Sequence, residues 1–120
     1  MRDYKKYSVW QKAHDLVLEI YKITRIFPKD ELFALTSQMK RSSSSIPTNI
    51  AEGCGRSSDK DFCRFLYIAF GSANELEYQI TLSIDLKFVD IENGQKLLLQ
   101  IEEVKKMLNG LITKLNNSNS

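Results

Sequence analysis

The pattern of hydrophobic and polar positions predicts four helices along the chain. In the first, over about 8–26, the side chains of one face return at steps of three and four. This line consists of Trp10, Ala13, Val17, Ile20, Thr24 and Phe27. A second line consists of Val9, Leu16 and Ile23 and indicates contacts on two sides of the helix. Ser8 and Gln11 have the spacing of a capping box, which predicts Ser8 as the N-cap.

The last two helices have the most regular apolar seams. The third is predicted over about 59–87 with Ser58 as its N-cap, and the fourth begins at Asp90 or Asn93. The third seam consists of Phe62, Leu66, Ala69, Ala73, Leu76, Ile80 and Ser83. In the fourth helix, steps of four and three alternate as they do in helix bundles. That seam consists of Leu97, Ile101, Val104, Leu108, Leu111 and Leu115.

The stretch 42–53 is difficult to reconcile with a regular helix. Pro47 lacks an amide hydrogen and clashes with the carbonyl of Ser43, although the apolar residues around it keep a helical spacing. One interpretation is a single helix over about 36–54, kinked near the proline, and we favour it. The alternative is a new helix with Ser45 as N-cap and Pro47 in its first turn. Gly53 and Gly55 are placed where a glycine often ends a helix.

Together these elements predict an all-α fold, an up-and-down four-helix bundle in a single domain over 1–120. The chain is long enough to bury a core of its own. No alternation of period two supports a sheet. Residues 1–7 are predicted to form a short polar arm, and 116–120 a frayed tail.

Charge and cysteine content narrow the class of protein. The net charge is only +2, so bulk charge gives little reason to expect a nucleic-acid partner. The two cysteines, Cys54 and Cys63, are too few for a disulfide framework, and their spacing is not that of a metal site. This favours reduced thiols. The first residues are charged, and no apolar run approaches a membrane span. We therefore expect a cytoplasmic protein without membrane contact.

Several motifs are similar to those of a known family. They are Val9-Trp10-Gln11-Lys12-Ala13, Ser45-Ile46-Pro47-x-Asn49-Ile50-Ala51-Glu52-Gly53, Phe62-x-x-Phe65-Leu66 and Glu75-Leu76. Over about 8–90 the chain resembles the small bacterial four-helix-bundle proteins known as 23S rRNA intervening-sequence proteins, or the S23 ribosomal protein family. Ser43 and Ser44 depart from the pattern, since relatives often have alanine or valine there.

This resemblance implies a four-helix bundle that assembles as a homopentamer and has no established enzymatic activity. A related accessory protein of diversity-generating retroelements is a basic pentamer that binds nucleic acid and a reverse transcriptase. The resemblance therefore implies RNA or DNA as a partner, or a protein partner.

Five cations are candidates for a nucleic-acid-binding patch on the second and third helices. They are Lys40, Arg41, Arg56, Lys60 and Arg64. Exposed amides at the start of a helix would add to phosphate binding. The alternative is a solvated face on which the carboxylates of Asp59, Asp61 and Glu52 neutralise the cations.

Three polar residues near the apolar seams have two interpretations, and they are Asn49, Glu52 and Glu75. Glu52 and Glu75 could form a carboxylate pair for acid–base work or for a metal. We favour a structural role, in which Asn49 and Glu52 cap backbone groups near the proline and Glu52 pairs with an arginine. A dimetal bundle site needs Glu-x-x-His motifs, and His14 is not in one. We predict no catalytic residue, no metal site and no cofactor.

The aromatic content of the first and third helices exceeds what one small bundle can easily bury. Trp10, Phe62, Phe65 and Phe70 are predicted to serve the core or an oligomer interface, and Tyr67 adds to the same apolar surplus. The alternative is a large monomeric core. The resulting hypothesis is a non-enzymatic, self-assembling accessory or scaffold protein that binds RNA or DNA. The alternative function is a protein–protein interaction module that does not bind nucleic acid.

Overall fold

The protein is an up-and-down bundle of four helices. The computed structural model describes residues 2–118. In this range the helices are α1 (Ser8–Thr24), α2 (Ser37–Cys54), α3 (Asp59–Asp85) and α4 (Ile91–Ser118). Each helix packs against the next, and α4 closes the bundle against α1. The bundle measures 47 × 22 × 20 Å. The predicted all-α architecture is confirmed.

All four helices contribute to one continuous core, and the predicted seams of α3 and α4 supply much of it. Its largest fully buried side chains are Phe62, Leu16, Ile20, Met39, Ile46, Ile50, Leu66, Leu76, Ile80, Ile101, Leu108 and Val104. The two lines predicted on α1 are the edges of a single buried face, because the face takes residues from both. None of the helices within 2–118 is long and apolar enough to cross a membrane.

Helix α2 runs through Pro47 as one element, so it does not begin anew at Ser45. The kink predicted near the proline is not confirmed. The backbone instead leaves helical geometry earlier, in a π-helical turn at Leu32–Thr36, where Ala34 has φ −120° and ψ −106°. Close to the proline, the Asn49 side-chain amide donates to the Ser45 carbonyl at 2.8 Å. Pro47 leaves the Ser43 carbonyl without its amide donor, so the Asn49 bond reaches a neighbouring carbonyl rather than the one that the proline frees.

The run of serines joins α2 to α3. The buried Ser42 hydroxyl donates to the side-chain oxygen of Gln79 at 2.6 Å. Ser45 and Ser72 share a hydrogen bond of 2.8 Å between their hydroxyls. These short side chains allow the two helices to approach closely while their polar atoms remain paired.

The helix starts show which capping signals the sequence encodes locally. Ser58 accepts a hydrogen bond from the Asp61 amide at 3.1 Å, as predicted for α3. Asp90, rather than Asn93, caps α4, because its carboxylate accepts from the Asn93 amide at 2.7 Å. The capping box predicted for α1 is wrong, since Tyr7 is the N-cap and Ser8 already belongs to the helix.

The N-terminal arm is docked on the bundle. The Arg2 guanidinium donates to the Arg56 carbonyl at 2.6 Å and to the Asp59 carboxylate. Tyr4 packs edge-on against Trp10 with ring centres 5.0 Å apart. At the other end of the chain, α4 continues through 116–118, where fraying was predicted. Residues 119–120 of that predicted tail lie outside the described residues.

Candidate nucleic-acid interface

Three of the five predicted cations lie where α2 ends and α3 begins. Arg56 follows α2, whereas Lys60 and Arg64 are in the first two turns of α3. The guanidinium of Arg56 is 4.6 Å from the centre of the Phe65 ring, and that of Arg64 is 4.5 Å from it. Both arginines therefore make cation–π contacts with one buried aromatic side chain. We call Arg56, Lys60, Arg64 and Phe65 the α2–α3 corner.

One carboxylate serves both arginines of the α2–α3 corner. Asp61 lies 3.0 Å from the Arg64 Nε and 3.8 Å from the Arg56 Nε. Asp59, which was predicted to neutralise the same cations, is paired with Arg2 instead. The α2–α3 corner therefore has three cations and one carboxylate paired with them. The interpretation that carboxylates neutralise this face applies only in part.

Lys60 and Glu52 complete the electrostatic description of the α2–α3 corner. Both side chains are exposed. Neither makes an ion pair within 4.0 Å in the part of the chain that the structure describes. The predicted pairing of Glu52 with Arg56 or Arg64 is therefore wrong. Lys60 is free to meet a ligand anion, and no carboxylate has to be displaced first.

Lys40 and Arg41 lie near the other end of α2. They are separated from Arg56 by about four helical turns, or roughly 20 Å along the axis. The Lys40 ammonium is 5.0 Å from the centre of the Tyr21 ring. Because α2 and α3 are antiparallel, only the last turn of α2 lies beside the start of α3. The five predicted cations consequently form two groups, and the prediction of one patch is wrong.

An open cavity of about 700 Å³ adjoins the α2–α3 corner. It lies between the start of α3 and the end of α4, and Lys60, Arg64, Tyr67, Cys63 and Asn116 are among its lining residues. Sequence reasoning had assigned Tyr67 to the apolar surplus and missed this position. The available signal was its spacing, since Lys60, Arg64 and Tyr67 follow each other at steps of four and three on one helix face.

The two glutamates proposed as a carboxylate pair are not brought together. Ser45 on α2 contacts Ser72 on α3. Glu52 lies seven residues beyond Ser45, towards the start of α3, whereas Glu75 lies beyond Ser72 in the opposite direction. Ten residues of helix correspond to about 15 Å along the bundle axis. Glu75 accepts a 3.4 Å hydrogen bond from Gln79, which gives it a structural contact.

Asn49 is hydrogen-bonded within α2. Its amide donates to the Ser45 carbonyl and, at 2.9 Å, to the Ser45 hydroxyl. Across residues 2–118, no three or more His, Cys, Asp or Glu side chains are grouped so that they could hold a metal ion. The Asn49 side chain is thus tied to the preceding turn of α2.

Both cysteines are free and buried. Burial is the main cause that raises the pKa of the Cys54 thiol, and it raises the pKa of the Cys63 thiol as well. A raised pKa leaves less of the reactive thiolate at neutral pH. The thiols are therefore packing groups in this fold.

The predicted aromatic residues belong to the protomer itself. Phe62 and Phe65 are buried in it, while Trp10 and Phe70 are half-buried at its edge. The exposed large apolar side chains are a different set, which includes Phe33 at 92% exposure. The set consists of Leu18, Tyr21, Ile26, Leu32, Phe33, Tyr67, Ile68, Tyr78, Leu86, Ile91 and Leu99.

The fold and its sequence are similar to those of known proteins. The family described as 23S rRNA-intervening sequence protein matches residues 5–110. A solved structure from Bacteroides thetaiotaomicron VPI-5482, of a protein with unknown function from the S23 ribosomal protein family, has a TM-score of 0.81 and 28% identity. That similarity covers 88% of this chain and 95% of the other. No curated protein matches the chain. Since the family match spans most of the sequence, the chain belongs to the 23S rRNA-intervening sequence protein family.

Proposed function

We propose that this protein is a non-enzymatic, self-assembling helical bundle that binds RNA or DNA at the α2–α3 corner. The observation that carries the proposal is that Arg56 and Arg64 both lie against the Phe65 ring, with Lys60 one helical turn before Arg64 on α3. Cation–π contacts hold the two guanidinium groups near the surface, and Lys60 has no carboxylate partner there. Arginine and lysine side chains in such a group bind phosphates and fix the position of a nucleic acid.

Self-assembly would multiply the contribution of a small site. One α2–α3 corner offers only a few phosphate contacts. A ring of identical chains would present the corner repeatedly, so that binding at one copy favours binding at the next. The exposed apolar set, with Phe33 as its most exposed member, supports self-assembly because oligomer interfaces bury such surfaces. The two free thiols support a cytoplasmic location, where cysteines stay reduced.

Removing the charge of the α2–α3 corner tests the nucleic-acid part of the proposal. Replacing Arg56, Lys60 and Arg64 together with glutamine is expected to weaken RNA binding and to lower the slope of log affinity against log salt by about three. The reason is that each cation that is removed leaves one phosphate without its contact, so that binding releases about one counterion fewer from the RNA. The measurement is fluorescence anisotropy of a labelled structured RNA over a series of salt concentrations.

A matched control separates the site from bulk charge. Lys22, Lys96 and Lys106 are exposed lysines on α1 and α4, away from the α2–α3 corner. Their replacement with glutamine removes the same total charge, and we expect it to leave affinity and slope nearly unchanged. Equal losses in the two triple variants, or an unchanged slope in the first, would contradict a site at the corner.

A protein–protein interaction module without nucleic-acid binding is the second candidate function. It is favoured by an exposed apolar surface at the other end of α2, made of Tyr21, Leu32 and Phe33 beside Lys40 and Arg41. We call this the Phe33 surface. An unpartnered apolar patch edged by cations is typical of a protein contact. Indifference of the wild-type protein to RNA, with a single protein that co-purifies, would favour this function over the first.

A further inference from the structure

The cavity beside the α2–α3 corner combines cations with an exposed aromatic ring. Lys60, Arg64 and Tyr67 lie on one face of α3 and line the same cavity. Asp61 lines it as well, and its carboxylate is paired with the Nε of Arg64, which leaves the terminal amino groups of Arg64 for a ligand. The Tyr67 side chain is 57% exposed, so most of its ring does not contribute to the buried core of the protomer. The volume of the cavity, about 700 Å³, is within the range of roughly 300–1,000 Å³ seen for small-ligand pockets. The cavity could therefore receive a group of the size of one nucleotide.

We propose that this cavity receives one unpaired nucleotide of a single-stranded RNA segment, with the base stacked on Tyr67 and the adjoining phosphate bound by Lys60 and Arg64. This inference rests on the proposed function and names the form of nucleic acid that the site prefers. Asn116 lines the cavity as well, and its oxygen accepts from the Cys63 thiol at 3.6 Å. The amide nitrogen of Asn116 is then a donor for a base edge.

The chemistry of the cavity selects an unpaired base over a paired one. In a duplex, both faces of each base are covered by its neighbours, so an aromatic side chain cannot stack on it. A splayed base in a loop or single strand offers a free π-face. Every base has such a face, so stacking on Tyr67 gives a preference for single strands without a preference for sequence. Arg64 and Lys60 supply the charge that binds the backbone of the same segment.

The test uses two RNA probes with the same number of phosphates, a labelled oligouridylate and a labelled RNA duplex. Tyr67→Leu is expected to weaken binding of the oligouridylate about tenfold and to leave duplex binding unchanged. Tyr67→Phe keeps the ring and should retain wild-type affinity. The salt slope should stay the same in Tyr67→Leu, because no cation is lost.

Tyr78→Leu is the matched control. Tyr78 is also exposed on α3, but it lies three turns away from the cavity. We expect its replacement to leave the binding of both probes unchanged. An equal effect of Tyr67→Leu and Tyr78→Leu would overturn the inference. A loss of assembly in Tyr67→Leu, measured by light scattering, would overturn it too, since the ring would then lie between subunits.

The remaining outcomes distinguish this inference from the proposed function. If Tyr67→Leu leaves oligouridylate binding unchanged, or weakens duplex binding equally, the stacking site is overturned while binding at the α2–α3 corner stands. If the wild-type protein binds neither probe, both the proposed function and this inference are overturned.

Discussion

Phe62→Ala is expected to lower the free energy of unfolding by about 3–5 kcal/mol. The Phe62 side chain is completely buried. The Tyr7 ring packs edge-on against it, with ring centres 5.9 Å apart, and the Arg2 guanidinium lies 4.6 Å from its centre. Truncation removes the buried ring and leaves a cavity beneath the N-terminal arm. Urea unfolding followed by circular dichroism measures the loss.

Phe33→Ala is the matched control for this prediction, because it makes the same chemical change at a site that is 92% exposed. We expect it to alter the free energy of unfolding of the protomer by less than about 0.5 kcal/mol. Unfolding should be measured at protein concentrations low enough for the assembly to be dissociated, since Phe33 is a candidate contact between subunits and the stability of an assembly depends on concentration. Equal losses in the two variants would contradict the placement of Phe62 in the core.

Gly53→Ala is expected to destabilise the protein by about 1–3 kcal/mol. A Cβ atom at this position would lie 2.8 Å from Cδ1 of Phe62 and 2.9 Å from Cβ of Phe65. The latter atom is fixed to the α3 backbone, so the two helices would have to separate. This cost exceeds the gain of about 1 kcal/mol that alanine offers over glycine within a helix. The free energy of unfolding from urea titration measures the difference.

Gly110→Ala is the control for the glycine prediction. No atom lies within 4 Å of a Cβ placed at Gly110, which is exposed on α4. Alanine there should raise the free energy of unfolding by up to about 1 kcal/mol, because only the helix propensity changes. A stabilising effect of both substitutions would show that α2 and α3 do not approach each other closely at Gly53.

The case of Gly53 illustrates which parts of the fold were predictable. The four helices and their seams follow from the spacing of apolar residues, because that spacing decides which face of a helix leaves water. The role of Gly53 does not follow, because the reason for a glycine lies in another helix. Gly53 and Gly55 were both interpreted as helix-ending residues, and Gly55 is the C-cap of α2, whereas Gly53 lies inside the helix. A glycine is required at this position because the Phe62 and Phe65 side chains of α3 leave no room for a Cβ atom.

The candidate site was predictable only where its residues are close in sequence. Arg56, Lys60 and Arg64 follow each other at steps of four, so their proximity could be inferred. Lys40 could not be separated from them without knowing that α2 and α3 run antiparallel. The contact between Arg2 and Asp59 joins residues 57 positions apart and has no local signal. That contact decides which carboxylate is left to the arginines.

The sequence predicts that the protein has more large apolar side chains than its core can bury, but it does not predict which of them are exposed. The sequence holds 11 Tyr and Phe residues and one Trp, which is more than a small core needs. Phe62 and Phe65 were natural candidates for an interface, but the bundle buries both. The side chains left exposed, such as Phe33 and Tyr78, become evident only when the four helices are placed together.

Light scattering behind a sizing column, with absorbance read at 260 and 280 nm in low and high salt, tests the central claim most directly. The account predicts a particle with the mass of five 13.8 kDa chains that carries nucleic acid at low salt and releases it at high salt. A particle of 13.8 kDa without nucleic acid in both conditions would contradict it.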